Sequence, residues 1–274
     1  LYSRFFMRAI SLKNEKINIK EPFKGLFTQG MVCHETYRDE DGNWLNPNEV
    51  ITNNNKDYFL KENPSKKVMV GPSESMSKSK KNTIDPQNII EKYGADSVRF
   101  FILADSPPER DIQWSEDGIK SAYKFVQKLW DLNNEMVGIS KSEKKEFNEN
   151  IEIFTNQIIN KINIALEGFR YNLIIAYFHE AYAFFKNICS KQIHFENLIL
   201  SFKKILITMM PVVPHLANEC LKSLDLNKNI SWPEINEKYI VKDKIKIVIQ
   251  VNGKKRNIVT VDKDIGEKDI KNLI

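Results

Sequence analysis

The sequence predicts a mainly α protein whose longest region is a helical bundle. From Ser115 almost to residue 225, apolar residues recur near the helical period. Breaks in this pattern fall near residues 138–148, near Gly168, near residues 190–194 and at Pro211, which leaves four or five helices. Because each helix has an apolar stripe to bury, helices joined by such short links are expected to pack against one another.

The segments before the bundle are shorter and include both helix and strand patterns. Residues 1–12 have the pattern of the end of a helix, and Leu26–Cys33 has that of a short strand. Residues 34–72 contain several turn signals, such as Asp41-Gly42 and Gly71-Pro72, around short apolar runs. They predict a small, irregular, β-rich insertion.

Two helices are predicted between Asp85 and Ala104, with a break at Gly94. Asp85 and Pro86 suit the N-cap and the first position of the first helix. Gly94 suits the C-cap, because glycine adopts a positive φ without steric cost.

A strand pattern follows the bundle. Lys244–Val251 alternates charged and apolar residues, Asn252-Gly253 is a strong hairpin signal, and Ile258–Val261 is the predicted return strand. A helix is predicted from Asp264 to Ile274, so we expect the start of a small α/β domain.

Composition narrows the functional class only slightly. The chain has 274 residues, 42% hydrophobic and 28% charged, and its net charge of +5 permits a polyanionic partner without requiring one. Its three scattered cysteine residues predict reduced thiols in a cytoplasmic protein. No CxxC pair, signal peptide or membrane-length apolar run occurs, so we expect no zinc site and no membrane contact.

The segment that we call the lysine loop, Ser73–Asn82, has the composition of a phosphate-binding loop. Ser77 and Ser79 supply short hydroxyl groups, and Lys78 supplies a mobile ammonium that acts on phosphate as a point charge. The loop runs into the helix predicted after Asp85. The alternative from composition alone is a solvated, lysine-rich surface loop.

The lysine loop resembles the KMSKS signature of class I aminoacyl-tRNA synthetases. Sixteen positions after Ser77, Tyr93–Leu103 is similar to the YGAD-type helix pair of the subgroup that handles aliphatic amino acids. Pro211–Glu219 is similar to the PhhPHhxxE helix start in that subgroup's anticodon-binding bundle. Ser75 replaces the first signature lysine, whereas Lys78 retains the second.

Further details resemble the leucyl subgroup of the bacterial or organellar type. Lys80-Lys81-Asn82 lacks the glycine usual in isoleucyl, valyl and methionyl enzymes. About 40 residues separate Gln29–Val32 from the lysine loop, where the leucyl subgroup carries an insertion, and Ile249–Arg256 resembles a VQVNGKxR hairpin.

The resemblance implies an ATP-dependent ligase that attaches leucine to tRNA(Leu) through leucyl-adenylate. It implies that Lys78 acts on the ATP phosphates, with Mg²⁺ accompanying ATP. Ser77 and Ser79 would add hydrogen bonds, Met76 would seat the loop, and Ser75 belongs to the same nucleotide-binding segment. Gly30, Met31 and Val32 are weaker candidates for the adenosine side.

The same resemblance implies five regions and a monomer. They are the end of a Rossmann-type catalytic domain (1–33), a leucine-specific-type insertion (34–74), the signature loop with stem-contact helices (75–114), the anticodon-binding-type bundle (115–238) and the start of a C-terminal tRNA-binding domain (239–274). The chain begins at Leu1 inside a helical pattern and contains no HIGH-type tetrapeptide. We therefore expect a piece of a longer enzyme that is inactive alone.

Two alternatives remain: a tRNA-binding module without catalysis, and an isoleucyl or valyl enzyme. We expect His215 to be a structural first-turn residue that could pair with Glu219, one turn later. The candidate contacts to tRNA phosphates are basic residues on the bundle and after it: Lys120, Lys124, Lys128, Arg170, Lys203, Lys204, Lys254, Lys255 and Arg256.

Overall fold

A computed structural model describes the chain except residues 15, 18, 20, 54–56, 241–243, 252–253, 263–265, 267–268 and 271–274. The described part contains eight α-helices, which agrees with a mainly α fold. The first, α1 (Tyr2–Lys13), matches the helix predicted over residues 1–12 and has no buried residue.

Along the chain, a small sheet follows α1. Its strand β1 (Val32–Arg38) pairs antiparallel with β2 (Trp44–Leu45). On the other side β1 pairs antiparallel with a later strand, β5 (Met69–Ser75), and it also pairs in parallel with β6 (Ile112–Gln113). The separate pair β3 (Val50–Thr52) and β4 (Tyr58–Leu60) completes the predicted β-rich region.

The strand predicted at Leu26–Cys33 is wrong in its bounds. Residues 26–31 are not in a strand, and the strand runs from Val32 to Arg38. The physical reason is the position of the partner strands, because β5 and β6 face β1 only from residue 32 onward. Leu26 is apolar but 83% exposed, so its apolar character did not indicate a buried strand position.

The predicted pair of helices is confirmed as α2 (Pro86–Tyr93) and α3 (Ala95–Ala104). The Asp85 side chain accepts a hydrogen bond from the backbone N–H of Gln87, and Pro86 takes the first helical position. Gly94 has a φ of 80°, which breaks the helix as expected.

Five helices form the bundle: α4 (Glu116–Ser140), α5 (Glu149–Glu167), α6 (Tyr171–Cys189), α7 (Leu198–Met209) and α8 (Pro214–Ser223). Their apolar faces and those of α2 and α3 form one continuous core. Phe178, Phe185 and Phe202 are almost fully buried in it. The aromatic residues of α6 therefore contribute chiefly to packing.

The last two strands are β7 (Lys244–Val251) and β8 (Lys254–Asp262), which pair antiparallel with Val248 opposite Ile258. The return strand is longer than the predicted Ile258–Val261. The predicted turn at Asn252-Gly253 and most of the helix predicted at Asp264–Ile274 lie outside the described residues.

Candidate nucleotide-binding loop and its supports

The lysine loop continues directly from strand β5. Ser73, Glu74 and Ser75 belong to that strand, and Ser75 lies opposite Cys33 of β1, so the irregular part of the loop begins at Met76. The Met76 N–H donates to the Val32 carbonyl at 3.2 Å, which continues the pairing one residue further. The sheet therefore fixes where the chain enters the loop.

The loop itself closes as a short turn. The two hydroxyls of Ser77 and Ser79 lie 3.3 Å apart, and the Lys80 N–H donates to the Ser77 hydroxyl oxygen at 3.3 Å. The Lys81 N–H donates to the Lys78 carbonyl at 3.3 Å, and Lys81 has a φ of 52°. Both predicted serine ligands are thus used to order the turn.

Lys78 lies at the tip of this turn with its side chain exposed. Among the described residues, no carboxylate forms an ion pair with its ammonium. Lys80, by contrast, forms an ion pair with Glu74 of β5. Of these two lysines, Lys78 keeps its charge available to a ligand.

A cleft of about 640 Å³ adjoins Lys78. Its walls come from the short 3-10 helix region at Asn46–Asn48, from residues 83–86 and from the start of α4 at Glu116. The cleft therefore lies between the β-rich region, the lysine loop and the first bundle helix.

The end of the loop is held by Asn82, which sequence reasoning did not select. Its side chain is fully buried, and its Oδ1 accepts from the Ser77 N–H at 2.8 Å. Its Nδ2 donates to the carbonyls of His34 and Glu74, each at 3.2 Å. A lone asparagine after Lys80 and Lys81 gave no sequence signal of this role, because its partners come from two strands.

The three candidates for the adenosine side contact two different parts of the structure. Val32 contacts the loop through the hydrogen bond from Met76. Gly30 and Met31 instead bond to the segment before β6: the Gly30 N–H donates to the Pro108 carbonyl at 2.8 Å, and the Met31 N–H donates to Asp111 Oδ1 at 2.8 Å. A Cβ at Gly30 would lie 2.1 Å from the Arg110 carbonyl oxygen, so only glycine fits.

His215 pairs with a different residue from the one expected. Its Nδ1 lies 2.8 Å from Asp96 Oδ1, whereas Glu219 lies 3.9 Å from Lys222. The buried Asp96 carboxylate also accepts from the Leu216 N–H at 2.7 Å, so it caps the N-terminus of α8. Pairing with Glu219 was the wrong expectation because α3 packs against the first turn of α8.

Arg99, one turn after Asp96 on α3, strengthens the same contact. Its guanidinium donates to the Val212 carbonyl at 2.9 Å and to the Pro211 carbonyl at 2.6 Å. The two sequence motifs at residues 93–103 and 211–219 are thus one structural unit, which we call the α3–α8 clamp: Asp96, Arg99, the segment 211–213 and the first turn of α8.

The basic residues are spread over several elements. Lys120 pairs with Asp117 at 3.6 Å and Lys204 with Glu152 at 3.4 Å. Lys124, Lys128 and Arg170 are exposed. Arg256 is exposed on β8, whose first residues are Lys254 and Lys255. Their contact with tRNA stays a prediction.

The described residues contain neither a cluster of metal ligands nor a membrane-spanning helix. In the part of the chain that the structure describes, no three His, Cys, Asp or Glu side chains are grouped as a metal would require. Within the same residues, every helix is too short or too polar to cross a membrane.

Two protein-family models match the chain. Residues 148–271 match the anticodon-binding domain of tRNA ligase, which includes α5–α8 and the β7–β8 pair. Residues 68–115 match class I tRNA synthetases of the I, L, M and V group, and these residues contain the lysine loop, α2 and α3.

Relatives that align with the whole chain are leucine–tRNA ligases. A leucine–tRNA ligase of Zymomonas mobilis subsp. mobilis is 39% identical over all of this chain, and one of Bartonella tribocorum is 37% identical. The chain covers 31% and 32% of those two proteins, so it spans about a third of their length.

A solved structure shares the fold. The crystal structure of the ternary complex of Agrobacterium radiobacter K84 agnB2 LeuRS with tRNA and LeuAMS aligns with 99% of this chain, with a TM-score of 0.63 and 23% sequence identity. Over its whole length, including the lysine loop and the helical bundle, this chain is thus similar to about a third of a leucine–tRNA ligase.

Proposed function

We propose that the chain supplies the ATP-phosphate loop and the tRNA-binding bundle of a leucine–tRNA ligase. The reaction would join leucine and ATP into leucyl-adenylate with release of pyrophosphate, and then transfer the leucyl group to tRNA(Leu). The observation that carries this proposal is Lys78, an exposed lysine without an ion-pair partner among the described residues, at the tip of a turn tethered to the sheet.

In this proposal the loop contributes electrostatic stabilisation. Negative charge on the departing pyrophosphate increases in the transition state, and a positioned ammonium there lowers the barrier more than it strengthens ground-state binding. Lys78 would supply that charge. The serine hydroxyls of the turn, Ser77 and Ser79, would set its geometry and could reorient toward phosphate oxygens.

The other candidate residues have supporting roles in this proposal. Ser75 would meet the nucleotide from the end of β5, and Met76 would seat the loop. Val32, with its neighbours Gly30 and Met31, would approach the adenosine side through backbone atoms. Magnesium would arrive with ATP as its counterion, and the chain's described residues offer no preformed metal cage.

The bundle would bind tRNA by its shape and backbone. This part of the proposal extends the family match of residues 148–271 to partner binding. The five-region division given above, a monomeric state and a cytoplasmic location belong to the same proposal.

The test uses a chimera in which this chain replaces the corresponding third of the Zymomonas mobilis ligase. We expect leucine-dependent ATP–pyrophosphate exchange from the chimera and none from the chain by itself. Lys78→Ala should lower kcat of exchange about 100-fold, because loss of one group that stabilises transition-state charge has effects on the order of 10²–10³. The KM for leucine should change little.

Lys81→Ala is the matched control. Lys81 lies three residues after Lys78, its side chain is also exposed, and the substitution removes the same charge. It should leave exchange near the parent value. An exchange rate that survives Lys78→Ala would contradict the proposed role. A chimera without exchange, made from a chain that still binds tRNA, would instead favour the non-catalytic binding module.

A further inference from the structure

We propose that Asn82 is the positioning residue of the lysine loop, and that it acts on Lys78 through the backbone of Ser77. The proposal rests on the proposed function for its catalytic consequence. Its structural part, that one buried amide anchors the loop at both ends, can be tested separately.

The geometry is that of a side chain whose hydrogen-bonding groups are nearly all used. Both Nδ2 hydrogens have an acceptor, the carbonyls of His34 and Glu74, and Oδ1 accepts from Ser77. His34 and Glu74 face each other across the β1–β5 pair. The amide therefore connects the first residue of the turn to two neighbouring strands.

Only asparagine supplies this set of groups at this size. An aspartate would keep the acceptor for Ser77 but would place a carboxylate oxygen against two carbonyl oxygens. An alanine would leave the Ser77 N–H and two carbonyls without their partner inside the protein. A buried polar group without a partner is destabilising, so either change should release the loop.

The anchor limits which residues can move. Ser77 and Asn82 are fixed to the sheet, and Lys80 is tied to Glu74, so Lys78 and Ser79 form the tip of the turn, where the hydrogen bonds described above are to residues of the turn itself. Lys78 follows Ser77 directly, and a displacement of the Ser77 backbone moves the Lys78 Cα with it. Misplacement of a catalytic group by 1 Å can cost about 100-fold in rate.

A second buried asparagine provides a matched control. Asn156 of α5 is also fully buried, donates to the Glu152 carbonyl at 2.8 Å and accepts from the Asn236 N–H at 2.8 Å. It resembles Asn82 in burial and in its backbone partners but lies in the bundle. Asn156→Ala should cost a comparable amount of stability without touching the lysine loop.

The structural arm measures amide hydrogen exchange in the 274-residue chain. In Asn82→Ala the Ser77 amide should exchange at least 10-fold faster, and trypsin should cut after Lys78, Lys80 and Lys81 sooner. In Asn156→Ala the Asn236 amide should lose protection while Ser77 keeps it. Unchanged protection of Ser77 in Asn82→Ala would overturn the anchor.

The catalytic arm uses the chimera described above. Asn82→Ala should lower kcat/KM for ATP in pyrophosphate exchange by about 10- to 100-fold, with the KM for leucine within about twofold and tRNA affinity unchanged. Asn82→Asp, which keeps the size, should be impaired similarly, and Asn156→Ala should stay near the parent value.

The two arms fail in different ways. A loosened loop with unchanged exchange kinetics would overturn the positioning role and leave the anchor in place. Equal kinetic losses in Asn82→Ala and Asn156→Ala would mean that only global stability was changed, which also overturns it. If the unsubstituted chimera shows no exchange, the proposed function fails, while the Ser77 measurement still decides whether Asn82 is the anchor.

Discussion

Three cysteine thiols, those of Cys33, Cys189 and Cys220, lie within the protein with 3% or less of each residue exposed. Burial raises the pKa of Cys189 and of Cys220 to about 12, with smaller contributions from Glu135 and Glu219 respectively. Since the thiolate is the nucleophile, the raised pKa disfavours reaction of these two thiols at neutral pH. The sequence predicted reduced thiols, and the structure adds that all three are buried.

We expect an aromatic disulfide reagent at pH 8 to react with all three thiols at least 10-fold more slowly in the folded chain than in urea, because all three are buried. For Cys189 and Cys220 the raised pKa also disfavours attack. The absorbance of the released thiolate measures the rate. The unfolded chain is the control. Rapid reaction of Cys189 or Cys220 in the folded protein would contradict the burial that the structure shows.

At the scale of elements, the α3–α8 clamp joins helices that are far apart in sequence. Asp96 is 7% exposed and binds both His215 and the α8 N-terminus. Its carboxylate accepts a hydrogen bond from the Leu216 N–H in the first turn of α8. The clamp thus fixes the orientation of α8 relative to the helix pair that follows the lysine loop.

Asp96→Ala should lower the free energy of unfolding by about 1–3 kcal/mol, since it leaves the Leu216 N–H without its acceptor at a buried site. Urea denaturation followed by circular dichroism measures the loss. Glu219→Ala removes an acidic residue from the exposed face of the same helix, and its effect should stay within about 0.5 kcal/mol. Equal effects of the two substitutions would argue against the clamp.

At the scale of the whole molecule, the basic residues set the expected dependence of tRNA binding on salt. Lys254, Lys255 and Arg256 begin β8, next to the predicted hairpin turn. Lysine and arginine contacts to phosphate release counterions, so each contact steepens the fall of affinity with salt. A cluster at the start of a strand can meet the backbone of an RNA without reading its bases.

Replacing Lys254, Lys255 and Arg256 together with Ala should weaken binding of tRNA(Leu) and flatten the plot of log affinity against log salt by about 2–3 in slope. Fluorescence titrations at several salt concentrations give this slope. A triple Ala control with the same change in charge is provided by three exposed lysines in the links after α4 and α6: Lys141, Lys144 and Lys191. Identical slopes for the parent and the β8 variant would show that the cluster does not touch tRNA.

The sequence by itself determined the features that depend on local interactions. Helical periodicity predicted four or five bundle helices, of which the structure has five. Asp85, Pro86 and Gly94 marked the ends of α2 because caps act within one turn. The lysine loop was recognisable because its residue types are adjacent in the chain. The bounds of β1 were not recognisable from the sequence, since they depend on where the partner strands β5 and β6 pair with it.

Only the tertiary structure decided which residues support the candidate site. Asn82 reaches His34 across 48 positions, and Asp96 reaches His215 across 119. Such pairs have no local periodicity or spacing, because folding brings together segments whose separation along the chain is arbitrary. The sequence therefore identified Lys78, which meets the ligand in our proposal, whereas the residue that holds its backbone in place became visible only when the strands and the loop were seen together.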